Sequence, residues 1–197
     1  AYINIPTTLL AMVDASVGGK TGINFNGLKN EIGSFFPASS VLIETEFLRS
    51  LDRYNFLSGY AEMLKHGLIS TPAHWSELLT FNTEHIDYSE LKQLVGRSVQ
   101  VKEDIVQQDP FEHGIRKALN LGHTVGHAFE SLALAENRHV LHGYAVAWGV
   151  VCELYLSNVK AGFPTDKMRQ TIQFIKENYG TFFIDCKTYD RLYEYML

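Results

Sequence analysis

Cysteine is scarce in this sequence of 197 residues. The two that occur, Cys152 and Cys186, lie too far apart in the chain to form a CxxC pair. This argues against a disulfide framework and against a thiol redox site. The cysteine content therefore predicts a protein of the reducing cytoplasm.

The sequence also has few basic residues and lacks long apolar runs. There are 17 Lys and Arg residues against 22 Asp and Glu, which gives a net charge of -5. Such a balance offers no electrostatic attraction to nucleic acid or to an anionic membrane. No apolar run reaches the length of a membrane span, and no charged-then-apolar leader is seen. We expect neither nucleic acid nor membrane as a partner.

The apolar pattern changes near residue 48. Before it, we predict a short strand at 2–5, a long ordered loop at 22–38 and a buried strand at 40–45. After it, apolar residues at three-and-four spacing predict helices over 56–68, 73–81, 88–107, 116–134, 144–160 and 165–179. The fold class is therefore mainly α, with an α/β remnant over 1–48 and a helical domain over 49–197. The opening "AYINIP" has no initiator Met, and we expect a fragment of a longer protein.

The stretch "DASVGGKTG" (14–22) resembles half of a nucleotide-binding P-loop. Gly19, Lys20 and Thr21 fit the end of G-x-x-x-x-G-K-[ST], but Asp14 replaces its first glycine. A P-loop lysine must also stand where a helix begins, so that backbone N–H groups surround the phosphates. The sequence "GINFNG" that follows is a poor helix start. An ATP site is disfavoured.

Two stretches carry side chains suited to metal chemistry. In "GYAEMLKHG" (59–67), Glu62 and Lys65 lie three apart on one helical face, a spacing that usually indicates a local ion pair. In "NLGHTVGHAFE", His123 and His127 lie four apart, which puts both rings on one side of a helix. A metalloprotease would need Glu where Thr124 stands. Two such histidines are usually solvated or packed in the core.

The stretch "VLHGYAVAWG" adds His142 just before a predicted helix. Alone it is more typical of capping or packing. Together, Glu62, His123 and His142 would supply one carboxylate and two imidazoles, a set suited to catalytic zinc with an open position. His127 would then remain for proton transfer near the metal. The other histidines lack comparable settings, and we predict surface or packing roles for them: His66, His74, His85, His113 and His139.

Isolated basic residues form a second theme. Each stands next to glycine, asparagine or an apolar helix face rather than in a charge run: Lys20, Lys29, Lys65, Lys102 and Arg116. A scattered surface lysine is the ordinary interpretation of each. Several of them converging on one pocket would form a site for phosphate or carboxylate.

Four segments in order resemble the 3-dehydroquinate synthase family of sugar-phosphate cyclases: "IPTTLLAMVDASVGGKTGIN…LKNEIGSFF", "GYAEMLKHG", "GIRKALNLGHTVGHAFE" and "LHGYAVAWG". The resemblance covers about Ile5 to Leu156. It implies an NAD-binding α/β domain, of which residues 1–48 would be a remnant, and a helical metal-binding domain. It also implies a carbon–oxygen lyase of the shikimate pathway of aromatic amino acid biosynthesis. The substrate would be 3-deoxy-D-arabino-heptulosonate 7-phosphate and the products 3-dehydroquinate and phosphate, in a cytoplasmic homodimer.

The resemblance also implies roles for single residues. Glu62, His123 and His142 would bind zinc or cobalt. NAD would contact Thr7, Thr8, Asp14, Lys20, Lys29, Phe47 and Ser50. The substrate phosphate would contact Lys20 and Asn30, its carboxylate and hydroxyls Lys65, Lys102, Arg116 and Asn120, and His127 would assist near the phosphate. The loop at 14–22 would then lie between cofactor and substrate.

The sequence departs from the family at several points, one of which is "LDRYN" (51–55), which lacks the Pro and Glu common in that linker. Tyr144 stands where the family frequently has Glu, and Ser50 where it often has Thr. The glycine-rich loops that hold the NAD pyrophosphate, and a lysine near the family's C-terminus, find no match here. We therefore expect this chain alone to bind NAD poorly and to be nearly inactive.

Three other interpretations remain. The chain could belong to a sugar-phosphate cyclase acting on glucose 6-phosphate or sedoheptulose 7-phosphate. It could come from a metal-dependent alcohol or glycerol dehydrogenase. It could also be a metal-binding or dimerisation module without chemistry of its own.

Overall fold

The structure is a computed structural model that describes the backbone of residues 1–25 and 28–197 and the side chains of residues 1–23 and 32–197. Within these residues, no helix is both long and apolar enough to cross a membrane. The described part is mainly helical, as predicted, and has two small sheets at its N-terminal end.

Each of the two sheets has two short strands. Strand β1 (Ile3–Asn4) pairs in parallel with β4 (Ser40–Val41), and β2 (Ile23–Phe25) pairs antiparallel with β3 (Leu28–Ile32). The prediction of a long loop over 22–38 was therefore wrong in part, because residues 23–25 and 28–32 within it pair as antiparallel strands, while residues 26–27 lie outside the described residues. The buried strand predicted at 40–45 was also wrong. Only two residues of it pair, and Leu42 beyond them is 56% exposed.

The helices follow the predicted order. They are α1 (Arg53–Ile69), α2 (Pro72–Thr80), α3 (Tyr88–Gln108), α4 (His123–Ala135), α5 (His142–Ala161), α6 (Thr165–Tyr179) and α7 (Tyr189–Glu194). Shorter helical turns cover Ala11–Ala15, Thr45–Ser50 and Ile115–Asn120. The apolar spacing thus located five of the six long helices to within a few residues.

One predicted helix is divided in two. The stretch 116–134 forms a 3-10 turn and then α4, with a break at Gly122, whose φ is 82°. A Cβ on Gly122 would lie 2.8 Å from the Val146 carbonyl oxygen of α5. Because α5 comes this close and φ is positive, the position requires glycine, which has no side chain and tolerates positive φ. The break therefore has a tertiary cause that a local apolar period cannot report.

Helix α1 runs through the core, and its residues 56–67 are buried. Two hydroxyl contacts tie it to its neighbours: the Tyr60 hydroxyl donates to the Leu78 carbonyl at 2.7 Å, and the Tyr179 hydroxyl donates to the Leu57 carbonyl of α1 at 2.9 Å. Helix α5 meets α1 at Gly143, where an added Cβ would lie 1.8 Å from the Ser58 carbonyl oxygen. This contact brings the start of α5 against the middle of α1.

Candidate metal and anion site

Glu62, in the middle of α1, is completely buried. One of its carboxylate oxygens, Oε2, contacts the ammonium of Lys65, which is 1% exposed. The other, Oε1, has no hydrogen-bond partner among the described residues. A buried charged oxygen without a partner is costly. Oε1 therefore marks a position where a further group is required.

Two imidazoles face this oxygen. The Nε2 atoms of His123, at the start of α4, and His142, at the start of α5, each lie 3.6 Å from Glu62 Oε1. The three candidate ligand atoms all lie within 4.8 Å of one another. These distances are too long for hydrogen bonds but suit three ligands around one ion.

The far side of each ring fixes its orientation. Nδ1 of His142 lies 3.4 Å from Glu130 Oε2, and Nδ1 of His123 lies 3.3 Å from the Leu121 carbonyl oxygen. Because each Nδ1 faces an acceptor, the proton of the neutral ring belongs there, and the Nε2 lone pair is directed at Glu62. One carboxylate and two such imidazoles fit a divalent cation such as zinc with an open position.

The charges at this site depend on one another. Burial alone would raise the pKa of Glu62, but Lys65, His142 and His123 hold that pKa well below its ordinary value. Burial would lower the pKa of His142, whereas Glu130 and Glu62 together raise it to about 9. Burial lowers the pKa of His123. Without a cation, His142 therefore holds a second proton at neutral pH, and a cation would compete with that proton for Nε2.

A cleft of about 400 Å³ opens beside His123 and His142. It is lined by every residue predicted to bind the substrate whose side chain is described: Lys20, Lys65, Lys102, Arg116, Asn120 and His127. Asp14, predicted to contact NAD, lines it as well. Residues from the N-terminal segment and from the helical part thus form one pocket rich in positively charged side chains.

The basic groups of the cleft are held by acceptors on neighbouring loops. Lys102 donates to the Asp14 carbonyl at 2.6 Å and pairs with its carboxylate. Arg116 donates to the Pro110 carbonyl at 2.6 Å and to the Gly18 carbonyl at 3.2 Å. These contacts fix the 14–20 loop against α3 and the segment after it.

Sequence reasoning missed Glu112, which also lines the cleft. Its carboxylate contacts Lys20 and accepts from Asn120 Nδ2 at 2.8 Å, and its backbone has a φ of 62°. Positive φ is uncommon outside glycine and often accompanies a functional constraint. The available sequence signal was weak: an acid in the irregular stretch "DPFEHG", a few residues before Arg116.

The remaining predicted residues lie elsewhere. The candidate NAD contacts Thr7, Thr8, Phe47 and Ser50 do not line this cleft, and Phe47 is 43% exposed. Lys29 and Asn30 fall in β3, and their side chains lie outside the described residues. The structure therefore leaves the cofactor contacts as predictions.

The other histidines occupy the settings predicted for them. His66 and His74 are buried, and His74 Nε2 lies 3.1 Å from Ser98 Oγ. His85, His113 and His139 are exposed.

Comparison with known proteins adds independent information. The family model for the 3-dehydroquinate synthase N-terminal domain matches residues 1–58, and the model for the C-terminal domain matches residues 59–197. A 3-dehydroquinate synthase of Parabacteroides distasonis is 61% identical over 98% of this chain and 55% of its own length. One of Streptococcus pyogenes is 43% identical over 87% of this chain and 47% of its own length. The chain thus spans about half the length of these curated relatives.

Solved structures resemble the fold over essentially the whole chain. ValA, a 2-epi-5-epi-valiolone synthase from Streptomyces hygroscopicus with NAD+ and Zn2+ bound, has a TM-score of 0.80 at 25% identity, covering 99% of this chain and 54% of its own. A 2-deoxy-scyllo-inosose synthase complexed with carbaglucose-6-phosphate, NAD+ and Co2+ has a TM-score of 0.82 at 24% identity, covering 100% and 54%. The second likeness is one of fold alone.

Proposed function

Because this chain belongs to the 3-dehydroquinate synthase family, we propose that it supplies the metal and substrate site of such an enzyme. The observation that carries the proposal is that His123 and His142 converge on the buried, unpartnered Oε1 of Glu62. The two histidines lie at the wall of a cleft lined by basic side chains. The whole protein would convert 3-deoxy-D-arabino-heptulosonate 7-phosphate to 3-dehydroquinate and phosphate. Such an enzyme would be a carbon–oxygen lyase, and we expect it to act in the shikimate pathway, in the cytoplasm, as a homodimer.

The chain's own residues would divide the work of binding. Glu62, His123 and His142 would hold zinc or cobalt, which when bound lowers the pKa of coordinated hydroxyls and polarises a carbonyl. Lys20 would bind the substrate phosphate together with Asn30. The carboxylate and hydroxyls would contact a second group of residues: Lys65, Lys102, Arg116 and Asn120. Fixing both anionic ends holds the reacting carbons in one orientation.

Proton movement in the cleft would fall to His127. Its side chain is 46% exposed and lies on α4, one turn from His123. From there it can exchange protons with a substrate and with solvent. NAD would be held by Thr7, Thr8, Asp14, Lys20, Lys29, Phe47 and Ser50, and it would supply the hydride chemistry.

A second candidate is another sugar-phosphate cyclase, favoured by the likeness to the valiolone synthase. Arg116 and Asn120 in the cleft favour a carboxylated substrate, since a guanidinium and an amide both suit a carboxylate. Phosphate release by the whole protein from the seven-carbon acid, glucose 6-phosphate and sedoheptulose 7-phosphate would separate the two. Release from the acid alone is expected. Net NADH formation would instead indicate a dehydrogenase.

Metal analysis tests the shared premise. The chain is dialysed against zinc, and its metal content is compared with that of His123→Ala and His142→Ala, with exposed His85→Ala as the matched control. We expect one zinc per chain in the unaltered and control proteins and loss of zinc in the other two. Unchanged metal content in both site variants would rule out the ligand set.

A further inference from the structure

The carboxylate of Glu130 stands behind the candidate metal site and is not one of its ligands. It lies on α4, three residues after His127, and its side chain is 16% exposed. Its Oε2 is 3.4 Å from His142 Nδ1 and 3.9 Å from His127 Nε2. One acid therefore faces both a candidate ligand and the candidate proton carrier.

The ring of His142 shows what this acid can do. Its Nε2 faces Glu62 at 3.6 Å, and its opposite nitrogen faces Glu130. His142 is the first residue of α5, and its neighbour Gly143 is held at α1 by a backbone N–H donated to Ser58 Oγ at 3.0 Å. The backbone is thus anchored, but the ring still needs a contact to fix its rotation. Glu130 supplies that contact from α4.

The same residues are also compatible with a second cation, because His127, Glu130 and His142 have potential ligand atoms within 4.8 Å of one another. That would require His142 to bind one ion through each nitrogen, and so to lose both ring protons. A neutral ring that donates Nδ1–H to a carboxylate while Nε2 binds the metal is the ordinary arrangement in metalloproteins. The geometry favours one cation with Glu130 behind it.

We infer that Glu130 is a positioning residue that sets the orientation and tautomer of His142 and links it to His127 on α4. The inference rests on the proposed metal site and assigns to it a residue beyond the three ligands. Loss of a carboxylate behind a ligating histidine typically lowers metal affinity 10- to 100-fold. Because the backbone anchor at Gly143 remains, the fold is expected to survive the change.

Zinc affinity of the chain, measured by competition with a chromophoric chelator, tests this inference. Glu130→Ala should weaken binding roughly 10- to 100-fold. Glu130→Gln keeps the size and one acceptor but lacks the charge, so a smaller loss of about 3- to 10-fold is expected. Exposed Glu177→Gln on α6 removes the same charge far from the site and should bind as the unaltered chain does.

Two further readouts separate positioning from general stability. The metal-free variants should still unfold in one cooperative transition, at a somewhat lower melting temperature because the contact with protonated His142 is lost. The visible absorption of Co2+ should differ between Glu130→Ala and the control because the ligand geometry has relaxed. If Glu130→Ala does not fold, Glu130→Gln carries the test. Affinity equal to the control in the folded Glu130 variants would overturn the inference, as would two zinc ions per chain.

A failure of the underlying proposal looks different. If the unaltered chain and Glu177→Gln both bind no zinc, the metal site itself is wrong, and the inference about Glu130 falls with it. If both bind one zinc and only the Glu130 variants are weakened, the metal site and its positioning residue are both supported.

Discussion

At the scale of single residues, Lys65 determines whether Glu62 can be a ligand. The sequence predicted an ordinary helical ion pair from their spacing, and the structure contains that pair with both partners buried. Burial alters its consequence, because the ammonium neutralises a carboxylate that would otherwise take up a proton. The pairing could be predicted from the spacing. The unpartnered second oxygen could not, since it depends on which helices surround α1.

Lys65→Met should destabilise the metal-free chain by about 3–5 kcal/mol, because it leaves the Glu62 charge buried without its partner. Zinc should restore part of this loss by supplying positive charge at the same carboxylate. Denaturant unfolding with and without zinc measures both effects, and exposed Lys176→Met is the matched control. A loss no larger than that of the control would contradict the prediction.

His66 gives the chain a predictable response to acid. Its side chain is fully buried, and neither ring nitrogen has a hydrogen-bond partner among the described residues. Burial, reinforced by Lys65, lowers its pKa from 6.5 to about 3. Below pH 6.5 the unfolded chain binds a proton here and the folded chain does not, so His66 makes folding less favourable as pH falls toward 3.

Replacing His66 by Leu should therefore flatten the dependence of stability on pH. Between pH 7 and pH 5, the unfolding free energy of the Leu variant should fall by about 2 kcal/mol less than that of the unaltered chain, as linkage requires. Unfolding free energies at each pH, with a chelator present to remove metal effects, provide the measurement. His85→Asn, at an exposed position, is the matched control. If the curves of unfolding free energy against pH are parallel for all three proteins, His66 is not the source of the acid sensitivity.

At the scale of elements, the start of α4 shows what a local pattern omits. The apolar spacing of 116–134 is continuous, and the break at Gly122 arises from contact with α5. Gly122 itself provides no capping side chain. Instead, Glu153 of α5 accepts from the Gly122 backbone N–H at 2.7 Å. Helix α4 is thus capped by a residue distant in sequence, which no local capping rule would identify.

Glu153→Ala should cost about 1 kcal/mol of stability, the usual value of a lost N-terminal cap. Because His123 directly follows Gly122, fraying there should also weaken zinc binding. Denaturant unfolding and chelator competition test the two effects, with exposed Glu177→Ala as the control. Unchanged stability and unchanged zinc affinity together would show that Glu153 does not hold the start of α4.

At the scale of the whole molecule, the cleft is where the two matched family regions meet. Asp14 and Lys20 come from residues 1–58, and the other lining side chains considered above come from residues 59–197. The sequence motifs identified nearly all of these residues because the family resemblance places them in order. Glu112 escaped notice because its position depends on the fold of an irregular loop. Thus the residues that line the cleft were largely predictable, and their contacts with one another were not.

Inorganic phosphate should stabilise the chain by binding across this cleft. A ligand at ten times its dissociation constant adds about 1.4 kcal/mol to the unfolding free energy. We expect a rise in melting temperature with phosphate over sodium chloride of equal ionic strength, and a smaller rise in Lys20→Met. Lys20 has a side chain 52% exposed, so its replacement should leave the ligand-free fold intact. Equal rises in both proteins would place the phosphate elsewhere.

The distribution of the three candidate ligands over α1, α4 and α5 has a further consequence. A cation bound to them would act as a removable cross-link between distant parts of the chain, and it would bind the folded state far better than the unfolded one. Loss of the cation would then also shorten the lifetime of the protein, because proteases degrade chains that unfold more often. On the proposed metal site, the supply of the cation would therefore influence how much of the folded protein is present.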